Sequence, residues 1–152
     1  MIGLLQRVTR ASVSVDGAEI ARIGTGLLVL VGVQARDTEN DAGRLAERLA
    51  GYRVFPDKQG KMNLSVQDIK GEILLVPQFT LAADTAKGMR PSFHPAADPA
   101  IGQRLFRLLT ERLQTKSIPT ATGRFGADMK VSLVNDGPVT FWLSTRGTEL
   151  PG

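Results

Sequence analysis

The chain contains no cysteine and only one histidine, His94. Without cysteine there are no disulfides and no thiolate metal centres, which fits a reducing compartment. With a single histidine, a multi-histidine metal site cannot form within one chain, and a Ser-His-Asp arrangement would have to use His94. That residue sits in the proline-rich "RPSFHPAADP" and reads as a solvated loop histidine. The longest apolar run, around "GLLVLVGV", falls far short of the ~20 residues that span a bilayer. The N-terminal "MIGLLQRVTRASVSV" soon meets Arg7 and alternates like a strand, without the apolar core of a signal peptide. A cytoplasmic protein is expected. There is no P-loop, no GxGxxG after a strand, no GxSxG and no HExxH. Neither a cofactor nor a metal is expected. Net charge is +4, which permits a polyanionic partner, yet no Lys/Arg-rich arm is present.

The chain has 152 residues, 42% of them apolar and 22% charged. That is enough for one domain with a real core. "LLQRVTRASVSVDG" alternates, with Asp16-Gly17 as a hairpin turn and "AEIARIG" as the return strand. "TGLLVLVGV" is apolar throughout, as in a strand buried on both faces. These segments predict an antiparallel meander. In "DTENDAGRLAERLAGY" the period changes: Ala42, Leu45, Ala46 and Leu49 share a helical stripe, with Asp37 or Thr38 as cap and Gly51 as stop. "EILLVPQFTL" is another buried strand, ending near Pro77. The long loop "AADTAKGMRPSFHPAADP" follows, and loops of that length are often functional. Asp98-Pro99 then opens a helix whose apolar face is Ile101, Leu105, Leu108, Leu109 and Leu113, with Arg104, Arg107 and Glu111 opposite. "GRFGADMKVSLVNDGPVTFWLST" predicts a final hairpin, and residues 147–152 a frayed tail. The fold class expected is α+β: one domain, residues 1–146, with an antiparallel, barrel-like sheet and two main helices.

Two stretches stand out for chemistry. In "VPQFTL" a buried strand runs into Gln78-Phe79-Thr80, and in "NDGPVT" a proline follows the turn residues Asn135, Asp136 and Gly137. Pro138 removes a backbone donor where a returning strand should begin to pair. Asn135 and Asp136 brace this loop or simply turn it. Backbone N–H groups at Phe79 and Thr80, beyond the last strand residue, are candidate hydrogen-bond donors to a ligand oxygen. Thr80 is a tempting nucleophile, but a threonine hydroxyl needs an adjacent base, and no motif supplies one. A positioning role for Thr80 is therefore preferred. Gln78 hydrogen-bonds a ligand or satisfies the strand end.

"QFTL" after an apolar strand, then "KGMRPSF", then "GRFGADMKVSLVNDGPVTFWL", together with the opening "LLQRVTRASVSVDG", resemble the D-aminoacyl-tRNA deacylase family in order over nearly the whole chain. The resemblance implies a homodimeric editing hydrolase. Such an enzyme cleaves the ester between a D-amino acid, or glycine, and the terminal ribose of tRNA. It implies that Gly137-Pro138 forms a cis peptide that enters the partner subunit's site and rejects L-amino acids. It places Gln78, Phe79 and Thr80 at the catalytic floor, and Arg7, Phe125 and Met129 around the tRNA 3′ end. It also implies that the substrate's own 2′-hydroxyl assists water. Phe125 and Met129 read without it are core residues. Lys87, Arg90 and Arg124 would meet phosphates, although each alone reads as a solvated charge. The family generally has Ser where this chain has Pro77, which removes a hydroxyl and an N–H. Two other readings stand beside it: a non-enzymatic tRNA- or RNA-binding module, and a Thr-dependent amidase or esterase with His94 as base.

Overall fold

The computed structural model describes residues 1–146; the predicted frayed tail, 147–152, lies outside the described residues. Strand β1 (Ile2–Val15) turns at Asp16-Gly17, both with positive φ, into β2 (Ala18–Ile23) and then β3 (Gly26–Gly32). The register on β1 runs unbroken from Ala11↔Ile23 to Val8↔Gly26. So β2 and β3 form one return leg, interrupted at Gly24-Thr25, rather than two turns of a meander. At that interruption Glu72 joins the leg: Gly24 N–H donates to its carboxylate at 2.7 Å, and its own N–H donates to the Thr25 carbonyl at 3.1 Å. A Cβ on Gly26 would stand 1.8 Å from the Glu72 carbonyl oxygen, so only glycine permits this approach.

Helix α1 (Glu39–Gly51) follows as the stripe predicts, burying Ala42, Leu45, Ala46 and Leu49. Thr38 is its N-cap residue, and the Asp41 carboxylate accepts from the Thr38 N–H at 2.8 Å. Asp37 lies buried instead, accepting from the Met1 ammonium at 2.8 Å and the Gln34 N–H at 2.6 Å. Short strands β4 (Phe55–Pro56) and β5 (Met62–Leu64) pair with each other, and β6 (Glu72–Pro77) returns to the main sheet. Helix α2 (Pro99–Thr115) leads to β7 (Thr120–Thr122), and β8 (Lys130–Ser144) ends the described chain.

The sheet is mixed, which corrects the expected antiparallel one. β6 lies parallel to β3, and β7 parallel to β6. The connections explain it: β3 reaches β6 through α1, and β6 reaches β7 through α2. A helical crossover returns the chain in the same direction, whereas a tight turn reverses it.

The predicted final hairpin is also corrected. "VSLV" and "VTFWL" do not pair with each other; both lie in β8, which runs antiparallel along nearly all of β1. Between Gln6↔Thr140 and Val8↔Asn135, β1 advances two residues and β8 five. The surplus bulges out as Asp136–Val139, around Gly137-Pro138. A 14-residue β1 offers both halves of β8 a partner, so no reversal is needed.

Two apolar clusters flank the sheet. Leu27, Val29, Val31, Ile73 and Leu75 face α1 and α2 on one side. Leu28, Leu74 and Val76 face the other way, packing with Val8 and Val13 of β1, Ile23 of β2, Ala121 of β7 and Leu133 of β8. All of the main sheet's strands thus supply one interior, as in a nearly closed barrel, and β3 and β6 are buried on both faces. On α2 the apolar face differs from the expected one: Phe106 is buried and Ile101 is 38% exposed. Among the described residues no helix is long and apolar enough to cross a membrane.

Candidate active site

At the C-terminal end of β6 lies a cleft of about 610 Å³, lined by Pro77, Gln78, Phe79, Phe93, Phe125 and Met129 among others. Three features place these residues together. Strand β6 ends there, the start of α2 at Asp98-Pro99 forms one wall, and the turn joining β7 to β8 brings Phe125 and Met129. Apolar groups dominate, and among the described residues Asp98 is the one charged residue in the lining. Such a space suits a flat aromatic ligand fixed by a few polar groups.

Strand β6 ends at Pro77 for a definable reason. Gly123 N–H donates to the Leu75 carbonyl at 2.8 Å. The next rung of a parallel ladder would need an N–H at residue 77 donating to the Gly123 carbonyl. Pro77 has none, and pairing stops at Leu75↔Thr122. Gly123 is also where Met129 packs, since a Cβ there would stand 2.8 Å from its sulfur.

Beyond Pro77 the chain enters a single 3₁₀ turn, Phe79–Ala82. Gln78 N–H still donates to the Val31 carbonyl at 2.8 Å, so the turn is anchored to β3. The N–H groups of Phe79 and Thr80 open this turn and have no backbone acceptor among the described residues. The Gln78 side-chain amide donates to the Thr80 hydroxyl oxygen. An amide is not a base, so this contact fixes Thr80 without activating it. Phe79 is 59% exposed and packs on Phe93, ring centroids 5.1 Å apart. Phe93 was not singled out from the sequence; as the one aromatic in an unusually long loop it was the available signal. That loop is pinned by Asp84 and Ser92, whose N–H groups and carbonyls bond reciprocally at 2.8 and 2.9 Å. Lys87 and Arg90 sit in its exposed tip and Arg124 in the β7–β8 turn, all three outside the cleft lining. His94 is exposed, and no hydrogen bond joins it to Thr80.

The remaining expected site residues lie elsewhere. Arg7, Gly137 and Pro138 do not line the cleft. They form a second assembly, on the bulge of β8. The Gly137-Pro138 peptide bond is cis, and Gly137 has φ +137°. Arg7 Nε donates to the Asp136 carbonyl at 3.0 Å and lies 3.6 Å from the Asp136 carboxylate, while another guanidinium N–H donates to the Val54 carbonyl at 2.6 Å. Asn135 closes the loop from its other side: its Oδ1 accepts from Val139 N–H at 3.0 Å, and its Nδ2 donates to the Thr140 hydroxyl at 2.9 Å. The dipeptide itself is exposed, its backbone presented to whatever approaches. Among the described residues no group of three His, Cys, Asp or Glu side chains is arranged to hold a metal.

Comparison with known proteins bears on this geometry. The family model described as D-Tyr-tRNA(Tyr) deacylase matches residues 4–144. A protein of Methylococcus capsulatus named D-aminoacyl-tRNA deacylase is 59% identical over 152 residues, 100% of this chain and 99% of its own. One of Thioalkalivibrio sulfidiphilus with the same name is 61% identical over 143 residues, 94% of this chain and 96% of its own. Among solved structures, one named c-Myc DNA unwinding element binding protein superposes with a TM-score of 0.91 at 40% identity, covering 95% of this chain and 99% of its own. A probable eukaryotic D-amino acid tRNA deacylase shares the fold, with a TM-score of 0.80 at 17% identity over 93% of this chain and 97% of its own.

Proposed function

The chain belongs to the D-Tyr-tRNA(Tyr) deacylase family, and from that membership we propose that it is a D-aminoacyl-tRNA deacylase working as a homodimer. It hydrolyses the ester between a D-amino acid and the terminal ribose of tRNA. The observation that carries the reading is the cleft at the end of β6, apolar-walled and lined by Gln78 and Phe79, with Thr80 next along the 3₁₀ turn and the N–H groups of Phe79 and Thr80 lacking backbone acceptors among the described residues.

The steps follow from that arrangement. The terminal adenosine enters the cleft between Phe125 and Met129, since RNA ends are bound by aromatic stacking and edge contacts. Water attacks the ester carbonyl, and the oxyanion is met by the N–H groups of Phe79 and Thr80. The carbon–oxygen bond to the ribose breaks, the ribose oxygen takes the proton, and free amino acid and tRNA leave. The neighbouring 2′-hydroxyl assists the water, in keeping with a Thr80 that has an amide rather than a base beside it. Thr80 and Gln78 position the substrate.

Chirality is read by Gly137-Pro138 of the partner subunit. Enantiomers differ only in where hydrogen and side chain sit, so rigid backbone filling the L side chain's direction excludes L and tolerates many D residues. Exposure of the dipeptide away from its own subunit's cleft, and its bracing by Arg7 and Asn135, support this reading. Glycine has no side chain to exclude, so glycyl-tRNA mischarged on tRNA-Ala is a substrate as well. The Arg7 side chain, beside the dipeptide, faces the incoming 3′ end at the mouth of the joined site. The cytoplasm, where charged tRNA is used, is its place of work.

The test is hydrolysis of matched D-tyrosyl- and L-tyrosyl-tRNA by wild type and Thr80→Ala. D-selective turnover that survives in the variant is expected. Comparable hydrolysis of both enantiomers would remove the filter. Salt-sensitive binding of tRNA without turnover would make the protein an RNA-binding module.

A further inference from the structure

Phe125 also lines a second cavity. A groove of about 300 Å³ lies between α2 and β7, lined by Phe106, Phe125 and the outer residues of α2. Phe125 thus lines both this groove and the cleft. Its ring rests on α2 at Gly102, where a Cβ would stand 3.3 Å from its Cζ. A narrow gap of about 30 Å³, bounded by Phe79, Phe106 and Phe125, lies between the two spaces.

The groove's rim is polar in a particular way. Gln103, Arg107, Glu111 and Gln114 follow one stripe of α2 and all line the groove. Arg107 and Glu111 stand one turn apart, a spacing at which opposite charges commonly pair. They make no ion pair with each other or with any other described charge. One cation and one carboxylate, each free, beside two amides and an aromatic wall suit a mixed ligand better than a polyphosphate.

We propose that this groove is a second nucleotide subsite, holding the residue that precedes the terminal adenosine of the tRNA acceptor end. The proposal rests on the reading of the cleft as the adenosine's seat. A base entering the groove stacks on Phe125. Arg107 meets the connecting phosphate. In tRNA that nucleotide is a cytidine, whose exocyclic amino group donates to the Glu111 carboxylate, while glutamine amides donate to its ring nitrogen and carbonyl. The groove's volume stands near the ~300 Å³ lower bound of small-ligand sites, which fits one nucleotide.

The experiment measures kcat/KM for three small esters: D-tyrosyl-adenosine, D-tyrosyl-CpA and D-tyrosyl-UpA. The CpA ester is expected to exceed the adenosine ester by about tenfold, mostly through KM, a gain within the range of one base–aromatic stack. The UpA ester should fall below CpA, because uracil presents an acceptor to Glu111. In Arg107→Ala and Glu111→Gln the CpA-to-adenosine ratio should drop toward one. Equal values for the adenosine and CpA esters in wild type would overturn the proposal and leave the deacylase reading standing. So would a loss of the same factor on both esters in the variants, since the groove would then act through the fold. No hydrolysis of any D-ester, nor of D-tyrosyl-tRNA, would overturn the deacylase reading itself.

Discussion

Asn135 engages both ends of its amide with the loop that follows it, on Val139 and Thr140. The sequence left two roles open for this residue, brace or plain turn former, because asparagine serves both. Its bonds reach four and five residues onward, past Gly137-Pro138, which makes it the brace. Asn135→Ala leaves the half-buried Val139 N–H without its acceptor, at a cost of about 1–3 kcal/mol. The expected outcome is a rise in L-tyrosyl-tRNA hydrolysis relative to D, with the D rate little changed. Gly137→Ala should act more strongly. At φ +137° an L side chain is disfavoured, and its Cβ would stand 2.7 Å from Val139 Cγ2 and 3.2 Å from an Arg7 nitrogen. Selectivity should fall by at least tenfold while the circular dichroism spectrum stays that of wild type. Retained selectivity in both variants would place the filter elsewhere. At this scale Gln78, Phe79, Phe125 and Met129, which the family motifs name, meet in one cleft, whereas Thr80, Arg7, Gly137 and Pro138 lie outside its lining. Phe93 was not legible: it lies in a long loop with no periodicity to say which way its ring points, and only the folded loop sets it against Phe79.

Strand β6 shows what a single residue does to an element. Its apolar run fixed it as a buried strand, and Pro77 marks its end. Replacing Pro77 by Ser restores an N–H facing the Gly123 carbonyl. The bond gained is worth about 0.5–1.5 kcal/mol. It is offset by about 0.4–1 kcal/mol from the freer unfolded chain once proline is gone. Stability should therefore change by less than about 1 kcal/mol. The discriminating measurement is amide hydrogen exchange, where the residue 77 N–H should be protected in the variant. Rapid exchange there would mean that the β6–β7 ladder ends for another reason. Elements with strong periodicity, α1 above all, were legible to within a residue at their ends, with Asp37 and Thr38 both open as the cap until the structure chose Thr38. On α2 the buried face includes Phe106 because it joins the core cluster shared with α1, against which Phe125 also packs, and a helical wheel does not contain those neighbours.

For the whole molecule, Asp41 links the beginning of α1 to both ends of the described chain. Burial by itself raises its carboxyl, but hydrogen bonds from Thr145 and Thr38, with the Met1 ammonium nearby, outweigh it and hold the group below the usual carboxylate range. The folded state thus favours the ionised form. Its contribution is present above the unfolded value, about 3.9, and is lost as pH falls through the lower folded value. Asp41→Asn should be less stable than wild type at neutral pH, and the gap should close in acid. A gap independent of pH in denaturant titrations would mean that the charge contributes nothing. Assembly is testable at the same scale. Sedimentation should report a dimer at assay concentrations, and dilution that dissociates it should remove chiral discrimination. A monomer that still rejects L-aminoacyl-tRNA would exclude a filter supplied by the partner.

The sequence by itself determined the two helices, the long strand segments, and that β3 and β6 are buried on both faces, but not the short strands β4, β5 and β7. Those properties reside in local patterns: alternation, helical stripes, caps and turn residues. Only the tertiary structure decided which strand lies beside which, and in what direction. A buried apolar strand looks the same with a parallel or an antiparallel neighbour, so the mixed sheet had to come from the crossovers through α1 and α2. For the same reason "VSLVNDGPVTFWL" looked like a hairpin. Its turn residues permit reversal, but β1 is long enough to pair with both halves at once, and the surplus residues emerge as the bulge that presents Gly137-Pro138.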